Sequence, residues 1–143
     1  MTVAAILAEK GREVVTTTAA KTIADAVAVL AKRRIGALVV VEAGNRIVGI
    51  LSERDVVRAI AGSGGEALKE PVASIMTRSV MTCGEGETIN DVMTRMTRGR
   101  FRHLPVVSSG NLAGVISIGD VVKYRLHEIE TESQALREYI LTA

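Results

Sequence analysis

Gly49-Ile50-Leu51-Ser52-Glu53-Arg54-Asp55-Val56-Val57 returns as Gly114-Val115-Ile116-Ser117-Ile118-Gly119-Asp120-Val121-Val122, displaced by 65 residues. Upstream, Thr22-Ile23-Ala24-Asp25-Ala26-Val27 returns as Thr88-Ile89-Asn90-Asp91-Val92-Met93, displaced by 66. The lost position falls in a turn, Gly44-Asn45-Arg46 in the first copy and Gly110-Asn111 in the second. Two copies in the same order define a tandem repeat, and every other reading of the chain has to respect it.

Outward from that motif, each copy reads as helix, strand, helix, strand, strand, helix. Val3-Ala4-Ala5-Ile6-Leu7 and Val72-Ala73-Ser74-Ile75-Met76 are helical lead-ins. Val14 to Thr17 and Ser79 to Cys83 are short strand candidates. Thr22 and Thr88 have the character of N-caps, with Asp25 and Asp91 facing the positive helix end. Ile23, Val27 and Leu30, and Ile89, Val92, Met93 and Met96, follow the three-and-four spacing of a buried stripe. The β-branched runs at Leu38–Val41 and Ile47–Leu51, and at Leu104–Val107 and Leu112–Ile116, flank Gly/Asn turns and predict hairpins. Pro105 stands near the opening of its strand, where a missing N–H costs least.

These patterns predict an α/β architecture (α+β-like). Each repeat is a small three-stranded sheet with flanking helices, and the two pack as a pseudo-two-fold intramolecular pair. The expected division is residues 1–61 for the first repeat, 62–71 for a Gly-rich linker, 72–124 for the second repeat and 125–143 for a C-terminal amphipathic helix. Along that helix Leu126, Ile129, Leu136 and Ile140 alternate with charged residues. They either cover the chain's own domain or meet a second subunit.

Composition narrows the function classes. The chain has 143 residues, 48% apolar and 24% charged, a size that suits one globular unit. With one Phe, two Tyr and no Trp, the core must be aliphatic. A net charge of +2 without a dense basic stripe argues against nucleic acid. The longest apolar run, Ile35 to Val41, is seven residues and too short to span a bilayer. The start of the chain lacks the pattern of a secretory signal, and Cys83 has no second cysteine to pair with. The expectation is a soluble cytoplasmic protein.

The repeated motif carries the chemistry. Glycine inside an apolar strand costs stability, so Gly49 and Gly114 suggest close approach by another group. Ser52 and Ser117 open helices whose free N–H groups can receive an anion. Asp55 and Asp120, one turn on, can accept hydrogen bonds from a diol such as ribose. Phosphate at the helix tip with ribose on the carboxylate would form a nucleotide cradle. Ser-x-x-Asp is equally an ordinary capping arrangement, and the residues alone leave both readings open.

Both halves resemble the CBS (cystathionine-β-synthase-type) domain, over roughly Val3 to Tyr124. The likeness rests on Thr22-Ile23-x-x-Ala26, Ile35-Gly36-Ala37-Leu38-Val39-Val40-Val41, Gly49-Ile50-Leu51-Ser52-Glu53-Arg54-Asp55 and their second-copy equivalents. The resemblance implies a stand-alone regulatory pair that dimerises and binds adenine nucleotides or related adenosyl compounds between its repeats. It implies that Ser52 and Ser117 meet phosphate and that Asp55 and Asp120 meet ribose. Ile35, Gly36 and Ala37, and Phe101, Arg102, His103 and Leu104, are then expected around the base. Thr16, Thr17 and Thr18, and Thr82 and Cys83 up to Gly84, are expected along the cleft walls. AMP, ADP or ATP leads the implied ligands, followed by NAD(H) and S-adenosylmethionine.

The copies differ where selectivity would arise. Gly36-Ala37 in the first stands against Arg102-His103 in the second, and Glu53-Arg54 against Ile118-Gly119. Arg102 can grip phosphate through its fork of donors, and His103 and Arg54 can assist, although a surface ion pair is the simpler role for Arg54. Catalysis has little support. His103 and His127 lack metal-motif spacing, and the glycines at 62–65 lack the Lys-Ser/Thr end of a phosphate loop. Cys83 reads as packed, and Met76, Met81, Met93 and Met96 as adaptable core. The expected protein is therefore not an enzyme and uses no catalytic cofactor or metal. It is a homodimeric nucleotide sensor acting on a regulated partner protein, or else a ligand-free interaction module.

Overall fold

The computed structural model describes residues 1–142; Ala143, the last residue of the expected C-terminal helix, lies outside the described residues. Among the described residues, five α-helices and five strands follow in the order α1 (Val3–Lys10), β1 (Thr16–Thr17), α2 (Ile23–Arg33), β2 (Ala37–Glu42), β3 (Arg46–Ser52), α3 (Glu53–Ser63), α4 (Ile89–Gly99), β4 (His103–Ser108), β5 (Asn111–Ser117) and α5 (Ile118–Thr142). Short 3-10 segments at Gly64–Lys69 and Val72–Ser74 connect the halves. The second lead-in is therefore a single tight turn rather than a counterpart of α1. Helix α5 is continuous, so the tail grows directly out of the second repeat.

The caps form as the sequence suggests. Thr22 and Thr88 accept the N–H groups of Asp25 and Asp91 at 3.1 Å each. Arg34 and Arg100 terminate α2 and α4 in the left-handed region, at φ of 54° and 55°. The hairpins turn through Gly44-Asn45 and Ser109-Gly110, all with positive φ. Each hairpin carries an irregularity at the matching place, Val40/Val41 and Val106/Val107.

The two sheets are not equal. In the first, β1 pairs parallel with β2, and β2 antiparallel with β3. In the second, the outer strand shrinks to one parallel bridge between Cys83 and Val106. Cys83 N–H donates to Pro105 O at 3.0 Å, and Val107 N–H donates to Cys83 O at 2.8 Å. The next rung toward Ser79 would need an N–H from residue 105, which proline lacks.

The aliphatic residues form two cores, and the lead-ins are exchanged between them. Val3, Ile6 and Leu7 of α1 pack into the second repeat with Ile89, Val92, Met96, Leu104, Val106, Ile116 and Val121. Val72 and Met76 pack into the first repeat with Ile23, Leu30, Leu38, Val40 and Leu51. Backbone hydrogen bonds seal both crossings. Val3 N–H donates to Glu87 O at 3.0 Å and Val72 N–H to Lys21 O at 2.8 Å, while Thr77 and Ile50 exchange bonds of 2.9 and 3.0 Å. The exchange also explains the repeated glycines. A Cβ on Gly49 would come within 2.7 Å of Met76 Sδ, and one on Gly114 within 2.6 Å of Leu7 Cδ2. The close approach is made by the lead-ins. Among the described residues no helix is long and apolar enough to cross a membrane.

Candidate functional site

A cavity of about 970 Å³ opens where the two repeats meet. The first repeat contributes Gly36 from the approach to β2, and Ser52, Glu53, Arg54, Asp55 and Arg58 from the end of β3 and from α3. The second contributes Arg95, Arg98, Gly99, Arg100, Phe101, Arg102 and His103 from the end of α4 and the start of β4. Ile50, Val57 and the crossing segment, with Thr77, Ser79, Val80 and Met81, complete the wall.

The local chemistry of the motif is symmetric. Ser52 Oγ accepts Asp55 N–H at 3.2 Å, and Asp55 Oδ2 accepts Ser52 N–H at 2.9 Å. Ser117 and Asp120 repeat this at 3.1 and 2.9 Å. Both pairs are capping boxes, which fixes each carboxylate beside a helix N-terminus. The surroundings break the symmetry. Asp55 lines the cavity and forms no ion pair among the described residues. Asp120 Oδ2 takes a hydrogen bond from Lys10 Nζ at 2.7 Å, and the same ammonium reaches Val115 O at 2.9 Å. Burial raises the Asp120 carboxyl, but the hydrogen bonds from Lys10 and Ser117 outweigh it and hold the group below its ordinary 3.8. Its contribution to stability is thus full above that value and lost as pH falls through the lower, folded one.

Of the expected site residues, Gly36, Ser52, Arg54, Asp55, Phe101, Arg102 and His103 meet in the one cavity. The others stand elsewhere. Thr16 and Thr17 pair with Val39 and Val40 in β1, and Thr18 begins the turn after it. Ile35 packs on the first core and Leu104 is fully buried in the second. Ala37 pairs with Ser52. Thr82 O accepts Arg95 Nη2 at 2.7 Å. Cys83 is a core residue whose thiol is pushed up to about 12, chiefly by burial, so it is held as the neutral thiol. Ser117 and Asp120 are engaged by their capping box and by Lys10.

Most of the basic wall comes from outside the repeated motifs. Arg58 lies within α3, and Arg98 and Arg100 at the end of α4, yet they converge. The cavity is lined by six arginines against Glu53 and Asp55, in a chain whose net charge is only +2. Arg95 is neutralised by Glu87 at 2.7 Å. Arg54, Arg58, Arg98, Arg100 and Arg102 form no ion pair among the described residues. The dense run Arg98-Gly99-Arg100-Phe101-Arg102-His103 was the available signal.

His103 sits at the seam between the repeats. A Cβ on Gly36 would stand 3.0 Å from its Cε1 and Nε2, with the Glu53 carboxylate just beyond. Burial, then the charge of Lys10, lowers His103 below 6.5, against opposing pulls from Glu53 and Asp120. The unfolded chain therefore takes up more protons than the folded one below about pH 6.5, and stability falls as pH drops through that window. Melting temperatures at pH 7 and pH 5.5 check this. The wild type should lose more stability over the interval than His103→Asn does.

Two repeats exchanging lead-ins around a shared basic cleft define an intramolecular tandem pair. The family model for the CBS domain matches residues 8–62 and 72–127, and the chain belongs to that family. It is 46% identical to a CBS-domain containing protein of Agrobacterium tumefaciens, whose crystal structure superposes with a TM-score of 0.85 over 87% of this chain and 99% of that one. It is 25% identical, with a TM-score of 0.79 over 90% of this chain and 98% of the other, to the CBS domain pair of protein MJ0100, crystallised in complex with 5'-methylthioadenosine and S-adenosyl-L-methionine. The mitochondrial CBS domain-containing protein CBSX3 of Arabidopsis thaliana shares 37% identity over 123 residues, 83% of this chain but only 60% of that protein.

Proposed function

We propose that the cleft between the repeats binds an adenine nucleotide through its phosphates, and that occupancy regulates a partner protein. The observation that carries this is a set of five arginines around one cavity that form no ion pair among the described residues: Arg54 and Arg58 beside Ser52 and Asp55, and Arg98, Arg100 and Arg102 from the other repeat. Like charges gathered at a cleft attract an anion, and guanidinium forks match phosphate oxygens. The N-terminus of α3 adds backbone donors beside Ser52. Asp55 supplies a carboxylate for ribose hydroxyls, while Phe101, Val80 and Met81 supply apolar surface for a base.

The related MJ0100 pair, crystallised with adenosyl compounds, supports the adenosine half of this reading. The charge supports the phosphate half. AMP, ADP, ATP and NAD(H) suit the basic wall, whereas S-adenosylmethionine brings a sulfonium cation to it. The protein acts in the cytoplasm as a homodimer, and its ligand signals by binding two relative poses of the repeats unequally. Native mass spectrometry and calorimetry with AMP, ADP, ATP, NADH and S-adenosylmethionine provide the test. One nucleotide per chain is expected, with affinity rising about tenfold or more from AMP to ATP. Failure of every compound to bind would sink the proposal and favour a ligand-free interaction module.

A further inference from the structure

Helix α5 carries an apolar stripe that the fold does not use. Val122, Leu126, Ile129, Ser133, Leu136 and Ile140 succeed one another at intervals of four, three, four, three and four residues. The five apolar members are between 41% and 63% exposed. At about 100° per residue, all six positions lie within about 40° of one line along the helix. Val121 and Tyr124, which are buried, face the body from about 100° to 160° away from that line. The spacing is that of a heptad seam, with Leu126, Ser133 and Ile140 at a and Val122, Ile129 and Leu136 at d.

The flanking charges identify the occupant. Arg125 and Glu132 fall at g positions, and Glu130 and Arg137 at e positions. In a parallel, in-register pair each g residue meets the e residue five places on in the other helix. Arg125 would then face Glu130 of the partner subunit, and Glu132 would face Arg137 of the partner subunit, both with opposite charge. Arg125 also lies 3.9 Å from Glu128 of its own helix. An antiparallel pair that sets Leu126 against Leu136 brings Glu130 onto Glu130, Glu132 onto Glu132 and Lys123 toward Arg137, all with like charge. A foreign helix would leave this self-complementarity unexplained.

We propose that residues 122–140 form a two-stranded parallel coiled coil with a second copy of this chain. The two bodies lie at the same end and on the outer sides of the seam. This assignment is independent of the ligand in the cleft. It fixes which surface joins the protomers and in which orientation.

Sedimentation equilibrium of the full chain tests it. The wild type should sediment as a dimer. Leu136→Glu with Ile140→Glu should weaken the dimer by more than about 100-fold without changing the melting of the body, because both residues are exposed. Arg137→Glu should weaken it by about threefold to tenfold, and adding Glu132→Arg should restore it. Strengthening by Arg137→Glu, which an antiparallel pair would show by meeting Lys123, overturns the orientation, and so does no change. A monomeric wild type, or a dimer indifferent to the Leu136→Glu/Ile140→Glu pair, overturns the seam itself.

Discussion

Leu7→Ala destabilises the protein by about 2–5 kcal/mol, although Leu7 lies only seven residues from the start of the described chain. The side chain is 1% exposed and fills the core of the second repeat. Its Cδ2 would stand 2.6 Å from a Cβ on Gly114. Gly114→Ala alone should therefore overpack the same spot and cost about 1–3 kcal/mol. The two defects are complementary in shape, because the methyl added at 114 enters the space vacated at 7. The double variant should lose less than the sum of the singles, by about 1–3 kcal/mol. Urea titration of the four proteins measures this coupling. Additive losses would show that α1 does not press on β5 as the structure describes. Hydrogen exchange adds a second reading: in Leu7→Ala the amides of β4 and β5 should lose protection ahead of those of β2 and β3.

Asp55→Ala lowers nucleotide affinity by about 10- to 100-fold, the worth of a charged hydrogen-bond acceptor, while Asp120→Ala leaves affinity in the shared cleft near its wild-type value. The residues occupy matching places in the repeat and make matching capping boxes. Each substitution should therefore cost about 0.5–2 kcal/mol of stability through the lost cap. What separates them is Lys10, whose ammonium engages Asp120 and has no counterpart at Asp55. Calorimetry with ATP, read beside thermal melting, distinguishes binding loss from unfolding. Equal loss of affinity in both variants would refute the assignment of the ligand to the Asp55 side.

Much of the fold was legible in the residues. The caps at Thr22 and Thr88, the Gly/Asn turns, the hairpins and the apolar stripes are local, because each depends on neighbours within one helical turn or one hairpin. The motif pair Ser52/Asp55 and Ser117/Asp120 was legible for the same reason, since a capping box spans three residues. Proline at 105 was visible too, but its consequence was not. A missing N–H acts only when a particular partner strand is present to need it, and that partner comes from residues around Cys83.

The site was legible in halves. Gly36, Ser52, Arg54 and Asp55 stood out in the first copy, and Phe101, Arg102 and His103 in the second. The structure joins these two groups in one cavity and gives Asp120 to Lys10. Arg58, Arg98 and Arg100 could not be placed from sequence, because a basic residue on a helix has the same local signature whether it faces water or another repeat.

By itself, then, the sequence determined that the chain is a tandem pair, which elements each copy contains and which residues cap them, because those properties follow from periodicity and short-range hydrogen bonding. Tertiary structure alone decided that the lead-ins are exchanged, that the glycines answer to Leu7 and Met76, and that arginines of both copies share one cleft. Those outcomes depend on which surfaces meet across tens of residues of chain, where packing and charge act through space and leave no local pattern to read.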